Sequence, residues 1–298
     1  MALEKIINDL KNTTNQSIDL SGKKISEEGA ETIAEALKTC KFTLINLYKN
    51  EIRDKGAKAI AEVLTVNPSI TSINLSNNVI SNEGAHAIAE VLKVNKSITS
   101  IDLSNNTMND EGFQEIAEAL KINESITSID LSYNTASNNG IKAIAEALKI
   151  NQSITSIGLG SNEIGNESVK VIAEALKVNK SITSIDLMWN NITTSGAKII
   201  QEVLKINQSI MSIVLQYNDD IDEEIENQIN ESLQHNIKEH QNIKKTALTL
   251  LIAKKRNDTI FTQVPRFVLY KIIAESHQNT QGKEPEEFND YMSPRSAF

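Results

Sequence analysis

Catalysis needs reactive side chains that converge, so the first question is whether this chain brings any together. The four histidines, His86, His235, His240 and His277, are scattered. His86 falls at an exposed position of a helical stretch. No glycine-rich phosphate loop, metal-ligand spacing or nucleophile motif is present. The single cysteine, Cys40, excludes an internal disulfide and supplies no ligand cluster. Asp102, Asp130 and Asp186 recur at one position of a repeated pattern, which raises calcium. A hard cation wants about six or more oxygens close around it, though, and Gly158 interrupts the row. No catalytic residue, metal ligand or cofactor is implied. What remains is the chemistry of recognition, carried by Tyr133, Met188, Trp189 and Tyr217 beside Asp130 and Asp186.

Those residues are positioned by a repeat. Asn-x-Ser-Ile-Thr-Ser-Ile returns at Asn67, Asn95, Asn123, Asn151 and Asn179, each 28 positions after the last. A fixed period of this size is the signature of a stack of one structural unit. Ahead of the aligned residues Asn50, Asn78, Asn106, Asn134, Asn162, Asn190 and Asn218, apolar residues alternate, as in Ile73 and Leu75. Short alternation of this kind predicts a strand with one buried face. The aligned asparagine is expected to be buried and to bond the loop backbone of its own and the next unit.

The second half of each unit is helical. Ala57, Ile60, Ala61 and Leu64 make one apolar stripe, repeated as Ala85, Ile88, Ala89 and Leu92. Asp54, Asn82, Asp110, Asn138, Asn166 and Thr194 form a row of types that cap helix starts. Asn67 and its equivalents fall at the helix ends, where a left-handed residue is expected. Glu90 and Lys93 pair at i, i+3 on the outer face.

The pattern Ile-x-x-Ile-x-Leu-x-x-Asn-x-Ile-x-x-x-Gly-Ala-x-x-Ile-Ala-Glu-x-Leu, read from Ile70 to Leu92, resembles the ribonuclease-inhibitor-like class of leucine-rich repeats. The resemblance covers roughly residues 17–218. It implies an α/β fold, a curved leucine-rich-repeat solenoid with parallel strands on the concave face and helices on the convex face. It also implies a scaffold that grips other proteins. One branch of the family activates the GTPase Ran. In this chain only Arg53 among the repeats offers an arginine for that work, and the acidic C-terminal stretch of that branch is missing.

Strand residues beside the buried Ile and Leu face the concave side. Early units are small and polar there, as copying predicts. The sixth unit carries Gly158 and Gly160 instead, flanked by Asp130 and Tyr133 on one side and by Asp186, Met188 and Trp189, then Tyr217, on the other. Units two apart along the sheet are separated by roughly 10 Å, so this patch is read as a place where a partner's helix or extended segment enters. Tyr and Trp are common interface anchors, and the carboxylates favour a basic partner. Ala136 and Ser168, which replace the usual Ile and Gly, are read as drift.

The ends depart from the repeat. Residues 1–16, with Leu3, Ile6, Ile7 and Leu10 on one helical face, are expected to cover the first unit, and residues 17–218 form the array. Residues 219–276 read as a helical C-terminal cap, with a last short helix near 265–276, and 277–298 as a disordered tail. Net charge of −9 argues against nucleic acid and anionic membranes as partners. The basic flanks of residues 243–256 raise a membrane-associated adaptor as an alternative. The start of the chain lacks the pattern of a signal peptide, and no apolar run reaches the ~18–20 residues of a membrane span. The chain is thus expected to be a monomeric, non-catalytic, cytoplasmic protein-binding scaffold. Its abundance of Ile, Asn and Lys also suits an effector that an intracellular bacterium delivers into host cytoplasm.

Overall fold

The computed structural model describes Ile6, Leu10 and residues 16–255, with side chains to residue 246. The chain divides into two compact units, Met1–Asn236 and Ile237–Phe298. In the first, eight three-residue strands form one parallel sheet in chain order: β1 Ser17–Asp19, β2 Leu44–Asn46, β3 Ser72–Asn74, β4 Ser100–Asp102, β5 Ser128–Asp130, β6 Ser156–Gly158, β7 Ser184–Asp186 and β8 Ser212–Val214. Each is followed by a helix: α1 Glu27–Leu37, α2 Arg53–Val66, α3 Asn82–Leu92, α4 Asp110–Leu120, α5 Asn138–Ile150, α6 Asn166–Val178, α7 Thr194–Ile206 and α8 Glu223–Lys255. Strand, helix, strand, helix in one direction makes a solenoid, and each repeat unit here takes the number of its strand.

The register follows from the sequence period. Ile45, Ile73, Ile101, Ile129, Ile157, Ile185 and Ile213 pair with one another in line, while Ile18 pairs with Ile45 one residue early. Unit 1 is therefore the shortened copy. The alternating Ile and Leu of strands β2 to β7 and the Ala, Ile and Leu stripe of the helices are buried in one continuous core between the two layers, with Ile18 and Ile213 at the two ends partly buried against it. That core grows by one layer per unit, each touching only its neighbours, so stability comes from each unit and its two joints.

Three columns of polar bonds make those joints. In the first, Asn106 Nδ2 donates to Leu103 O of its own unit and Leu75 O of the preceding one, at 3.0 and 3.1 Å. Its Oδ1 accepts Asn78 N and Ile80 N, also of the preceding unit. The aligned asparagines thus reach back rather than forward. The second column is Asn67 and its equivalents, which are extended rather than left-handed, with φ −109° at Asn67 and −69° at Asn179. Asn123 shows their use: Nδ2 donates to Leu92 O and Asn95 O, closing the end of the previous helix, and Oδ1 accepts Ser125 N and Ile126 N. A bulky amide that meets four backbone groups is worth more here than a left-handed turn.

The third column corrects the expected caps. Asp54, Asn82, Asp110, Asn138, Asn166 and Thr194 lie inside their own helices, one residue after the cap position or, for Asp54, two. Their side chains reach the start of the next helix instead. Asp54 Oδ1 accepts Ser81 N at 2.7 Å and Gly84 N at 3.0 Å, and its Oδ2 accepts the Ser81 hydroxyl. Asp110 does the same for Ser137 and Gly140. The starts of α3, α4, α5 and α7, rich in unpaired N–H groups, each receive an acceptor from the unit before, while Ser26, Ser81, Asn109 and Thr193 cap their own helices.

Two residues read as drift have partners. The Ser168 hydroxyl, where other units have glycine, donates to Asn138 Oδ1 of the capping column. Ala136 and Phe113 both line Gly140, whose added Cβ would lie 3.2 Å from the Ala136 Cβ and 3.0 Å from the Phe113 Cβ. Phe113 stands where other units have Ala, Val or Ile, so bulk gained in unit 4 sits beside bulk lost in unit 5.

At the array's end, the start of α8 packs Ile225, Ile229 and Leu233 inward, and Asn236 Nδ2 donates to Asn207 O and Ile210 O. The helix then runs unbroken to Lys255. Leu10 is buried within the same core as the first units. The short helix expected at 265–276 and the tail at 277–298 lie outside the described residues.

Candidate interaction surface

The outward residues of the strands form three columns across the sheet. The first, at the strand ends, is Asp19, Asn46, Asn74, Asp102, Asp130, Gly158, Asp186 and Val214. Much of its polar character is local bonding. Asn46, Asn74, Asp102, Asp130 and Asp186 each accept the N–H two residues on through Oδ1, at 2.8–3.0 Å. This is the Asx turn that starts the loop. The Asp row is thus a loop-forming feature before it is a recognition feature.

Gly158 breaks that pattern and leaves the N–H of Gly160 without its usual acceptor. Ser132 Oγ of the preceding unit takes it, at 3.0 Å. The space of the missing side chains is also used. A Cβ on Gly158 would overlap Asp130 Oδ1 and lie 2.9 Å from Ser132 Oγ, and one on Gly160 would lie 3.0 Å from Met188 Cγ. Both glycines are buried. The expected notch is therefore filled by Asp130, Ser132 and Met188, and a partner would rest on these side chains rather than on glycine backbone.

Asp130 is a partly buried carboxylate in the middle of the face. Burial pushes its carboxyl up, the charges of Asp102 and Asp186 push the same way, and the bonds from Ser132 oppose them without prevailing. Burial and like charge both disfavour the anion, and a cation brought to this face would relieve the charge repulsion.

The outermost column is Lys49, Asn77, Asn105, Tyr133, Ser161, Trp189 and Tyr217. All seven are left-handed, with φ between 51° and 61°. The first six are held there by a bond from their own N–H to a carbonyl of the next unit, as Tyr133 N to Gly160 O at 2.7 Å and Trp189 N to Gln216 O at 3.0 Å. Asparagine tolerates this conformation, whereas a bulky side chain there is an outlier. Units 5, 7 and 8 nonetheless carry Tyr133, Trp189 and Tyr217. The rings of Trp189 and Tyr217 stack, with centroids 4.4 Å apart and planes 16° from parallel. They remain 50% and 66% exposed, and Tyr133 45%, so about half of this aromatic area faces solvent.

Of the residues singled out from the sequence, Asp186, Met188, Trp189 and Tyr217 thus adjoin across units 7 and 8. Asp130 and Tyr133 lie on unit 5, and Gly158 and Gly160 are covered between the two groups. The left-handed column was not foreseen, although Asn77 and Asn105 at two of its positions were the signal. Arg53 is exposed at the start of α2, itself left-handed at φ 52°.

Leucine-rich-repeat family models match residues 40–61, 66–89, 94–117, 123–145, 151–173 and 178–200. The chain belongs to the leucine-rich repeat family, and its 28-residue strand–helix unit is of the ribonuclease-inhibitor-like kind. Among solved structures it is similar to the leucine-rich repeat-containing protein LegL7 of Legionella pneumophila. The TM-score is 0.53 at 20% identity, over 77% of this chain and 75% of that one. The tropomodulin C-terminal domain of Caenorhabditis elegans gives a TM-score of 0.46 at 13% identity, covering 64% of this chain and 98% of that one. Actin-binding site 2 of leiomodin-1 gives 0.43 at 18%, covering 66% and 96%. A comparison with curated proteins finds no match. Among the described residues no helix is long and apolar enough to cross a membrane.

Proposed function

We propose that this chain is a non-catalytic scaffold that binds a partner protein on its strand face, centred on Asp130, Tyr133, Asp186, Met188, Trp189 and Tyr217. The observation that carries the reading is the stacked, half-exposed Trp189–Tyr217 pair in a left-handed column where units 3 and 4 place asparagine. A strained position that keeps a large aromatic residue is better explained by contact than by stability. Stacked rings beside Asp186 offer a cationic side chain both a π face and a carboxylate, so a basic contact segment fits. Leucine-rich-repeat membership supports protein binding as the general role. Delivery into a host cytoplasm is part of this reading on composition alone.

The test is affinity capture from a eukaryotic cytosolic lysate with the wild type, with Trp189→Asn/Tyr217→Asn, and with Tyr133→Asn. Each replacement installs the residue that units 3 and 4 already carry, so folding is preserved, as circular dichroism would verify. Proteins retained by the wild type and lost by the folded variants support the strand face. Equal retention by all three moves binding elsewhere and ends this reading.

A further inference from the structure

On the helix layer, three side chains meet that nothing in the strand face explains. His86 and Glu90 lie one turn apart on α3, and Glu115 projects from α4 of the next unit. Their ligating atoms all lie within 4.8 Å of one another, and His86 Nδ1 is 3.1 Å from Glu115 Oε2. All three retain solvent access, at 58% for the His86 side chain and 41% for that of Glu115.

The repeat shows which of these are particular to this place. The Glu90 position is glutamate in every unit from 2 to 7, each paired with a lysine three residues on where that lysine exists. At the His86 position units 2, 5, 6 and 7 carry lysine and unit 4 carries Gln114. At the Glu115 position all other units from 2 to 7 carry Ala, Val or Ile. In an array that otherwise copies itself, both positions change in adjacent units, and the two new side chains touch. One change removes a lysine whose charge would repel a cation, and the other places a carboxylate where the units have only apolar side chains.

We propose that His86, Glu90 and Glu115 form a binding site for a borderline divalent transition ion of the Zn²⁺ class, bridging units 3 and 4. An imidazole with two carboxylates suits zinc rather than calcium or magnesium, which take oxygen alone. Ligand bond lengths of about 2.0–2.2 Å around one ion place its donors roughly 3.3 Å apart, the separation His86 and Glu115 already have. Glu90 joins them by leaving its exposed pair with Lys93, a weak interaction. Three protein ligands leave a position for water or for a group from a partner. A bound ion would tie α3 to α4 on the side opposite the strand face and stiffen that joint.

The experiment is a calorimetric titration of the full chain with Zn²⁺ alone, repeated with His86→Lys and Glu115→Ala. These variants carry residues that other units use at the same positions, so loss of fold does not confuse the result. The site predicts one ion per chain in the wild type, a rise in melting temperature with zinc, and affinity reduced about tenfold or more in each variant. Zinc uptake unchanged in both variants would place the ion on other groups, such as His235 or His240, and overturn the proposal. No uptake at concentrations up to about a millimolar would overturn it equally, leaving His86 and Glu115 as a hydrogen-bonded pair.

Discussion

Ser132 Oγ accepts the backbone N–H of Gly160 across the boundary between units 5 and 6, at 3.0 Å. At the same position in unit 4 the Ser104 hydroxyl donates to Asp102 of its own strand at 2.7 Å. The Ser132 hydroxyl likewise bonds Asp130 and has gained a second partner, because a glycine two residues before the N–H removed the usual acceptor.

That difference predicts unequal results from one substitution. Ser132→Ala leaves a buried N–H unpaired and should destabilise by about 1–3 kcal/mol, whereas Ser104→Ala should stay within about 0.5 kcal/mol. Urea unfolding of both variants decides it. Equal effects would show that Gly160 N finds another acceptor.

The aromatic column predicts a trade between stability and binding. Tyr133→Asn relieves a left-handed bulky residue without breaking a ring stack and should gain about 1 kcal/mol, raising the melting temperature by about 2–4 °C. Trp189→Asn gains the same relief but loses stacking of similar size, so its melting temperature should barely move. A loss of stability at Tyr133→Asn would remove the strain argument for this face.

Asp130 gives a pH dependence. Its folded value lies above the ordinary aspartate value of about 3.9, so the folded chain binds more protons there than the unfolded chain. Stability from this group falls as pH rises from the unfolded value through the folded one. Asp130→Asn should therefore raise the melting temperature at pH 7, with the gain vanishing below about pH 3. A variant less stable at pH 7 would show that the carboxylate is favourably held.

Asp110 runs the other way. Burial pushes its carboxyl up, but the Ser137 hydroxyl and the N–H groups of Ser137 and Gly140 outweigh that and hold it below the ordinary value. Its contribution is present above the unfolded value and is lost as pH falls through the folded one. Asp110→Asn, the residue of units 3, 5 and 6, keeps the acceptor and drops the charge, so its acid unfolding should be less steep below about pH 4. Identical acid limbs in variant and wild type would contradict the charge-assisted cap.

Much of the fold was legible because the repeat prints its own register. Ile73 and Leu75 alternate as a half-buried strand must, and Ala85, Ile88, Ala89 and Leu92 keep helical spacing. What misled was treating each unit alone. Asp54 looks like a cap for its own helix, and only the stack shows that it serves Ser81 and Gly84 of the next. Asn67 looks like a left-handed terminator, but the left-handed residues lie in the strand loop at Asn77, Asn105 and Trp189. The glycine pair suggested open space because sequence cannot show that Asp130 leans over Gly158. The meeting of His86 with Glu115 was hidden for the same reason, since they are neighbours only across two helices.

The backward-reaching asparagines and forward-reaching caps give the array an interchangeable coupling. Every joint from unit 2 to unit 5 uses the same two asparagine columns, so removing any 28 consecutive residues there rejoins matching halves. Gene slippage could thus lengthen or shorten the scaffold without redesigning its core. The joint between units 5 and 6 is different in that Ser132 serves Gly160; Asn162 Oδ1 makes no hydrogen bond there, but neither does Asn78 Oδ1 at the joint between units 2 and 3. Growth or loss upstream of that joint would leave Trp189 and Tyr217 at the same distance from the far end, and change only how much surface precedes them.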